Sequence, residues 1–131
     1  MVSAVQAYRS VDLGASAQTA SPHQLISMLL TGALEAIAKA KGAIERKDIE
    51  TRSNQINKAS AIVMELKESL NVEQGGELAD NLASLYSYMA VALMHANREN
   101  DASRLDEVTK LLSEILDGWS QIPPEHRRQE V

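Results

Sequence analysis

The sequence predicts an all-α protein, an antiparallel up-down four-helix bundle preceded by an N-terminal arm with room for a short extra helix. Three observations carry this expectation. Apolar residues recur at three- and four-residue spacing through four separate stretches, the period of a helix with one buried face. Each stretch opens on a capping residue or closes on a turn or breaker, with proline kept to the ends of the periodic runs. Aromatics are 3% of the chain and phenylalanine is absent, so the core is built from Leu, Ile, Val, Met and Ala, a palette that favours helices over sheets. No strand-like alternation competes, and 131 residues fit one domain with a sizeable core.

The chain divides into an arm over residues 1–20, a bundle over 21–122 and a disordered tail over 123–131. In the arm, Val2, Val5, Tyr8 and Val11 recur every three residues, and the small residues from Gly14 to Ala20 read as a linker. Two readings stand side by side: a frayed terminus, or an arm whose Tyr8 docks into an apolar groove. Helix one begins at Ser21. Its hydroxyl can accept from a free N–H of the first turn, Pro22 suits the first helical position, and Gln24 completes a capping box. The apolar stripe runs through Leu25, Leu29, Ala33, Ile37 and Ile44 to about Arg46, and Glu35 and Lys39 stand at i,i+4 on the polar side.

Lys47-Asp48 makes the turn, with Asp48 as the next N-cap. Helix two runs from Ile49 to about Leu70 on a near-heptad seam of Ile49, Ile56, Ala59, Val63, Leu66 and Leu70. Gly75-Gly76 is expected to break the chain. Helix three then runs from Glu77 to about Asn97, with Leu78, Leu82, Leu85, Met89, Leu93 and Ala96 inward. Asp101 caps helix four, which runs from Ala102 to about Trp119 on Leu105, Val108, Leu112 and Ile115, with Asp106 and Lys110 paired outside. Pro123-Pro124 stops it.

Composition excludes several classes of function. There is no cysteine, so disulfides and thiolate chemistry are absent. A net charge of −5 argues against nucleic acid as a partner. No apolar run is long enough to insert in a membrane, and Met1 to Leu13 lacks the basic and continuously apolar regions of a secretion signal, so a cytoplasmic protein is expected. The histidines are His23, His95 and His126; no Glu-x-x-His pair, phosphate loop or nucleophile elbow accompanies them. No catalytic residue, metal site or cofactor is read from the sequence. His95 alone keeps one catalytic alternative open, a phosphotransfer bundle in which a helix histidine carries a phosphoryl group.

The feature that asks for a function is a lack of charge. A bundle helix normally turns a charged face to water, yet no charged residue lies between Asp80 and Arg98, nor from Ser21 to Leu34. Three neighbours cover the inner stripe of helix three and leave its back face of Ala83, Ser87, Ala90, Val91 and Met94. At about 100° per residue, Tyr86 and Tyr88 stand on opposite shoulders of that stripe. Such a face calls for the arm, a second copy or a client chain over it, although small weakly apolar residues also sit in water without cost. Met64 and Met94 point outward and Met28 and Met89 inward. Ile62, beside the seam of helix two, joins Met64, Tyr86, Tyr88, Val91 and Met94 as a candidate contact. A helical oligomerisation module, with helix three packed weakly on its own copy as a homodimer, is the second alternative.

The chain also resembles the flagellar export chaperone family called FliS. The resemblance rests on Ala7-Tyr8, Ser21-Pro22 with Leu25-Ile26 and Met28-Leu29, Gly32-Ala33, Lys58-Ala59 and Gly75-Gly76-Glu77, then on Asn81-Leu82, Leu85-Tyr86 with Tyr88-Met89, Ala96-Asn97 and Trp119. It covers the chain from about Ala7 to Pro124, in order. Leu30 and Thr31 stand where members often carry an aromatic and an acid, and Ser87 where they often carry an acid. The resemblance implies a cytoplasmic chaperone that binds the disordered C-terminal segment of flagellin, keeps it from polymerising and delivers it to the flagellar export gate. It implies further that Tyr8 anchors an arm over the groove, and that Leu85, Tyr86, Tyr88 and Met89 lie at or under the client surface.

Overall fold

The computed structural model describes residues 20–70 and 72–123, apart from the side chains at 72–74. Four helices follow one another: α1 Pro22–Arg46, α2 Ile49–Glu68, α3 Val72–Glu99 and α4 Ala102–Ser120. α1 packs on α2, α2 on α3, α3 on α4 and α4 back on α1, the closed ring of an up-down bundle. Tyr8, the rest of the arm through Thr19, and the tail from Pro124, His126 included, lie outside the described residues.

The caps form as the sequence predicts. Ser21 Oγ accepts from the Gln24 N–H at 3.2 Å while Gln24 Oε1 accepts from the Ser21 N–H at 2.9 Å, a complete capping box. Asp48 Oδ1 accepts from Thr51 N–H at 3.1 Å, and Asp101 Oδ1 from Ser103 N–H at 3.0 Å. Hydrogen bonds from the Thr51 and Ser103 side chains, together with these backbone bonds, hold both carboxyl groups below their ordinary range. At the opposite helix ends Lys47 and Asn100 adopt positive φ of 59° and 57°, so that two-residue turns suffice.

Three local expectations are corrected. α2 stops at Glu68, short of Leu70, where the Ser69 hydroxyl turns back to donate to the Leu66 carbonyl at 2.8 Å. The break at Gly75-Gly76 falls where the sequence predicts it: a short helical stretch from Val72 meets the main body of α3, from Glu77 on, across a kink. Only Gly76 leaves helical geometry, at φ 58° and ψ −133°, whereas Gly75 stays helical with its Cα close to a neighbour: a Cβ there would meet the Ala79 Cβ at 2.6 Å. Ile49 and Leu78, both expected inside, are 66% and 68% exposed. Each stands in the outermost turn beside its helix start or kink, beyond the reach of the neighbouring helices. Asp106, expected to pair with Lys110, instead forms an ion pair with Lys41 that ties α4 to α1.

The core runs the length of the bundle through fully buried Leu29, Ile37, Ile56, Val63, Leu93 and Leu112. At the chain-terminal end α1 is clamped to α4. The His23 and Trp119 rings stack at 4.7 Å and 8°. Trp119 Nε1–H donates to the His23 carbonyl at 3.0 Å, and His23 Nε2–H to the Trp119 carbonyl at 2.9 Å. Among the described residues no helix is long and apolar enough to cross a membrane.

Candidate functional site

The register of α2 against α3 is set near the turn end of the bundle. Arg52 Nε donates to Asn97 Oδ1 at 3.0 Å, and the Ser53 hydroxyl to the same oxygen at 3.1 Å. Counting from these bonds at helical period, the α2 shoulder toward α3 carries Ser53, Asn57, Ser60 and Met64, and the facing shoulder of α3 carries Ala83, Ser87, Ala90 and Met94. These side chains are short except for the two methionines, so the two helices leave a shallow trough between them. Ser53, Ser60, Ala83, Ser87 and Ala90 are half-buried in it, while Asn57, Met64 and Met94 are exposed along its rim.

The chemistry of this face is uniform. Between Ser53 and Met64 the only charged side chain of α2 is Lys58, which lies on the shoulder toward α1, and α3 has none between Asp80 and Arg98. Met64, Val91 and Met94 are 39%, 49% and 54% exposed. Around the crest of α3 stands Tyr88, 45% exposed, whose phenol donates to Glu107 Oε2 of α4 at 2.5 Å. That hydrogen bond, which the neutral phenol alone can donate, raises the Tyr88 pKa above its ordinary value. It also fixes the ring upright between α3 and α4. A neutral, adaptable surface of Met, Val, Ala and Ser takes apolar side chains without desolvating any fixed charge.

The candidate contacts separate into two sets. Met64, Tyr88, Val91 and Met94 are on the surface. Ile62, Tyr86 and Met89 are core: Ile62 and Met89 are wholly buried and Tyr86 is 3% exposed, so a client meets none of them while the bundle is closed. The reason is rotation about the helix axes, which turns Ile62 toward α1 and Tyr86 and Met89 inward. Burial pushes the Tyr86 phenol up to about 12. Leu85 is half-buried against the core. His95, the phosphotransfer candidate, is half-buried on α3; Arg98 Nη2 donates to its Nδ1 at 3.0 Å, and Glu99 Oε2 lies 3.8 Å from the same nitrogen. Among the described residues no three His, Asp or Glu side chains are grouped to hold a metal ion.

Reading the sequence one helix at a time found Met64 on α2 but missed Ser53, Asn57 and Ser60 beside it. Their trace was present, since the eleven residues before Met64 include one charge, but Asn and Ser read as ordinary solvated positions until their partner helix is known. The His23–Trp119 clamp spans 96 positions and left no local trace.

The described residues form an all-α helical bundle with an uncharged, partly apolar α2–α3 face. The comparisons with known proteins give its family. Residues 4–126 match the family model described as Flagellar protein FliS. A Pseudomonas aeruginosa protein named Flagellar secretion chaperone FliSB is 46% identical over 91% of this chain and 94% of its own length. Proteins named Flagellar secretion chaperone FliS from Salmonella typhimurium and Vibrio cholerae are 42% and 36% identical, covering 98% and 96% of this chain and 96% and 93% of their own. The chain belongs to the FliS family.

Proposed function

We propose that the protein is a cytoplasmic flagellar export chaperone that binds the disordered C-terminal segment of flagellin, prevents its premature polymerisation and passes it to the flagellar export gate. The observation that carries this reading is the uncharged α2–α3 face with Met64, Val91 and Met94 on its rim. A client segment with an apolar stripe lies along the trough as a helix. Each of Met64, Tyr88, Val91 and Met94 retains roughly half its surface for burial, worth about 1 kcal/mol apiece and about 4 kcal/mol together before the client's ordering cost. The client's own apolar face supplies the remainder, so folding and binding are coupled. No nucleotide enters this scheme, and release follows from competition at the export machinery.

The test is calorimetric titration with the C-terminal segment of flagellin from the same cell. A 1:1 complex with a large negative heat-capacity change is expected. Val91→Glu and Met94→Glu place a charge on the trough rim and each weaken binding at least about tenfold. Because both residues are exposed, the melting temperature stays within a few degrees. Absence of binding to the unaltered chain would overturn the reading. If binding is absent and the protein sediments as a dimer that Met94→Glu dissociates, the face serves self-association.

A further inference from the structure

At the turn end of the bundle, beyond the last residues of the trough, a pocket of about 360 Å³ opens between the two helix turns, lined by Ala43, Lys47, Asp48, Ile49, Arg52 and Asn100. Its chemistry contrasts with the neutral trough. Arg52 is half-buried, and its fork is held by neutral oxygens alone: Nε on Asn97 Oδ1 and Nη1 on Asn100 Oδ1, both at 3.0 Å, with Nη2 3.5 Å from Ser53 Oγ. Among the described residues no carboxylate lies within ion-pair distance of it. Lys47 adds a second exposed cation at the rim. The one acid of the lining, Asp48, is committed to the Thr51 N–H at the start of α2. An acidic protein, of net charge −5, thus keeps a locally cationic pocket at the mouth of an uncharged trough, with Ile49 exposed beside it.

We propose that this pocket is a carboxylate subsite, and that the carboxylate belongs to the chain bound in the trough, as an acidic side chain or a C-terminus. The proposal rests on the client-binding reading above and deepens it. Continuity favours a peptide over a free small anion: Arg52 lines the pocket and, through its bond to Asn97, also sets the α2–α3 register, so a helix lying along the trough delivers its end to the guanidinium. Two amide oxygens hold the guanidinium fork in place before the client arrives, which lowers the cost of engaging it. The trough recognises apolar side chains without fixing where they sit along it, since Met and Ala accept many partners. A charge-assisted bond at one end supplies what the trough lacks, a direction and a register for the client helix.

The test is a double-mutant cycle on the full chain. The probes are the flagellin C-terminal segment and versions of it with each carboxylate neutralised in turn (Asp→Asn, Glu→Gln, or a terminal amide). Arg52→Gln is expected to weaken the unaltered segment about tenfold, and one neutralised segment should lose the same factor against the unaltered protein and nothing further against the variant. Since Arg52 also bridges α2 to α3, Lys47→Glu serves as the second variant: it lies on an exposed rim, leaves the fold intact, and should weaken the unaltered segment while sparing that same neutralised one. If every neutralised segment loses equally against protein and variants alike, Arg52 is only a bridge between helices and the subsite is overturned. In that outcome the segment still binds, so the client reading survives; failure of the segment to bind the unaltered chain would overturn both.

Discussion

His23→Ala tests what closes the bundle. Wild-type His23 is 4% exposed, stacks on Trp119 at 4.7 Å, and donates from Nε2 to the Trp119 carbonyl at 2.9 Å. Alanine removes the stack, worth about 1 kcal/mol, and the hydrogen bond, worth about 1 kcal/mol. It also leaves a void where the ring stood, adding about another 1 kcal/mol. The return bond from Trp119 Nε1 to the His23 carbonyl is a backbone contact and survives the substitution. A loss of about 3 kcal/mol, lowering the melting temperature by roughly 10 °C, is expected. Trp119 is the only tryptophan, so its fluorescence reports this one contact while circular dichroism reports the helices. The variant's emission should shift toward that of a solvated indole before the helices melt. A loss below about 1 kcal/mol with unchanged emission would mean that the core alone seals α1 to α4, and that the stack contributes nothing.

Three further outcomes follow from single residues. Burial raises the Tyr86 phenol to about 12 from 10.0, so the folded state holds its proton longer than the unfolded state does; stability is intact below pH 10, falls as pH rises from 10 to 12, and loses about 2–3 kcal/mol across that window, a fall that Tyr86→Phe should remove in alkaline urea melts. Gly76→Ala meets no atom within 4 Å but places a Cβ on a backbone at φ 58°, ψ −133°, and should cost about 1–2 kcal/mol by denaturant titration, whereas a cost near zero would mean the kink relaxes freely. Glu65, on α2, has one oxygen shut off from solvent without a partner, and burial together with the Glu68 charge raises its pKa; its penalty grows as pH rises through the acid range, so Glu65→Gln should raise the denaturation midpoint at pH 7 and raise it less at pH 4.

The helices were legible because their starts are written locally. Ser21 with Gln24, Asp48 and Asp101 each bond within three residues of themselves, and such contacts need no knowledge of the fold. The outward direction of Met64, Val91 and Met94 was legible too, since each lies well off its helix's apolar stripe. The split between Tyr86 and Tyr88 shows where periodicity stops. It placed them on opposite shoulders, but which shoulder a neighbour covers depends on the roll of α3 against α2, and that roll is set by Arg52 and Ser53 meeting Asn97 some 44 positions away. Ile62 and Met89 lie in the core for the same reason. The break at Gly75-Gly76 was legible as well, because a glycine pair signals one and Gly76 leaves helical geometry at φ 58°.

The division of labour on α3 explains why its surface can stay uncharged. Its stability is secured from the inside by Met89, Leu93 and Ala96, all fully buried, and from one flank by the Tyr88–Glu107 bond. None of that depends on Val91 or Met94, so those positions are free to be chosen for a partner. The same freedom carries a cost, because a neutral, partly apolar face offers little repulsion against a second copy. Short side chains at Ala83, Ser87 and Ala90 limit that cost: the trough is recessed, so a slender helix reaches its floor whereas the broad side of another bundle meets only the rim. Selectivity for a single helix over a folded partner then arises from shape, with the cationic pocket at Arg52 adding direction. If that argument holds, Ala90→Leu should fill the trough, leave the bundle as stable as before within about 1 kcal/mol, and abolish client binding while increasing self-association in sedimentation. Retained client binding in the filled variant would mean that the client does not use the trough floor.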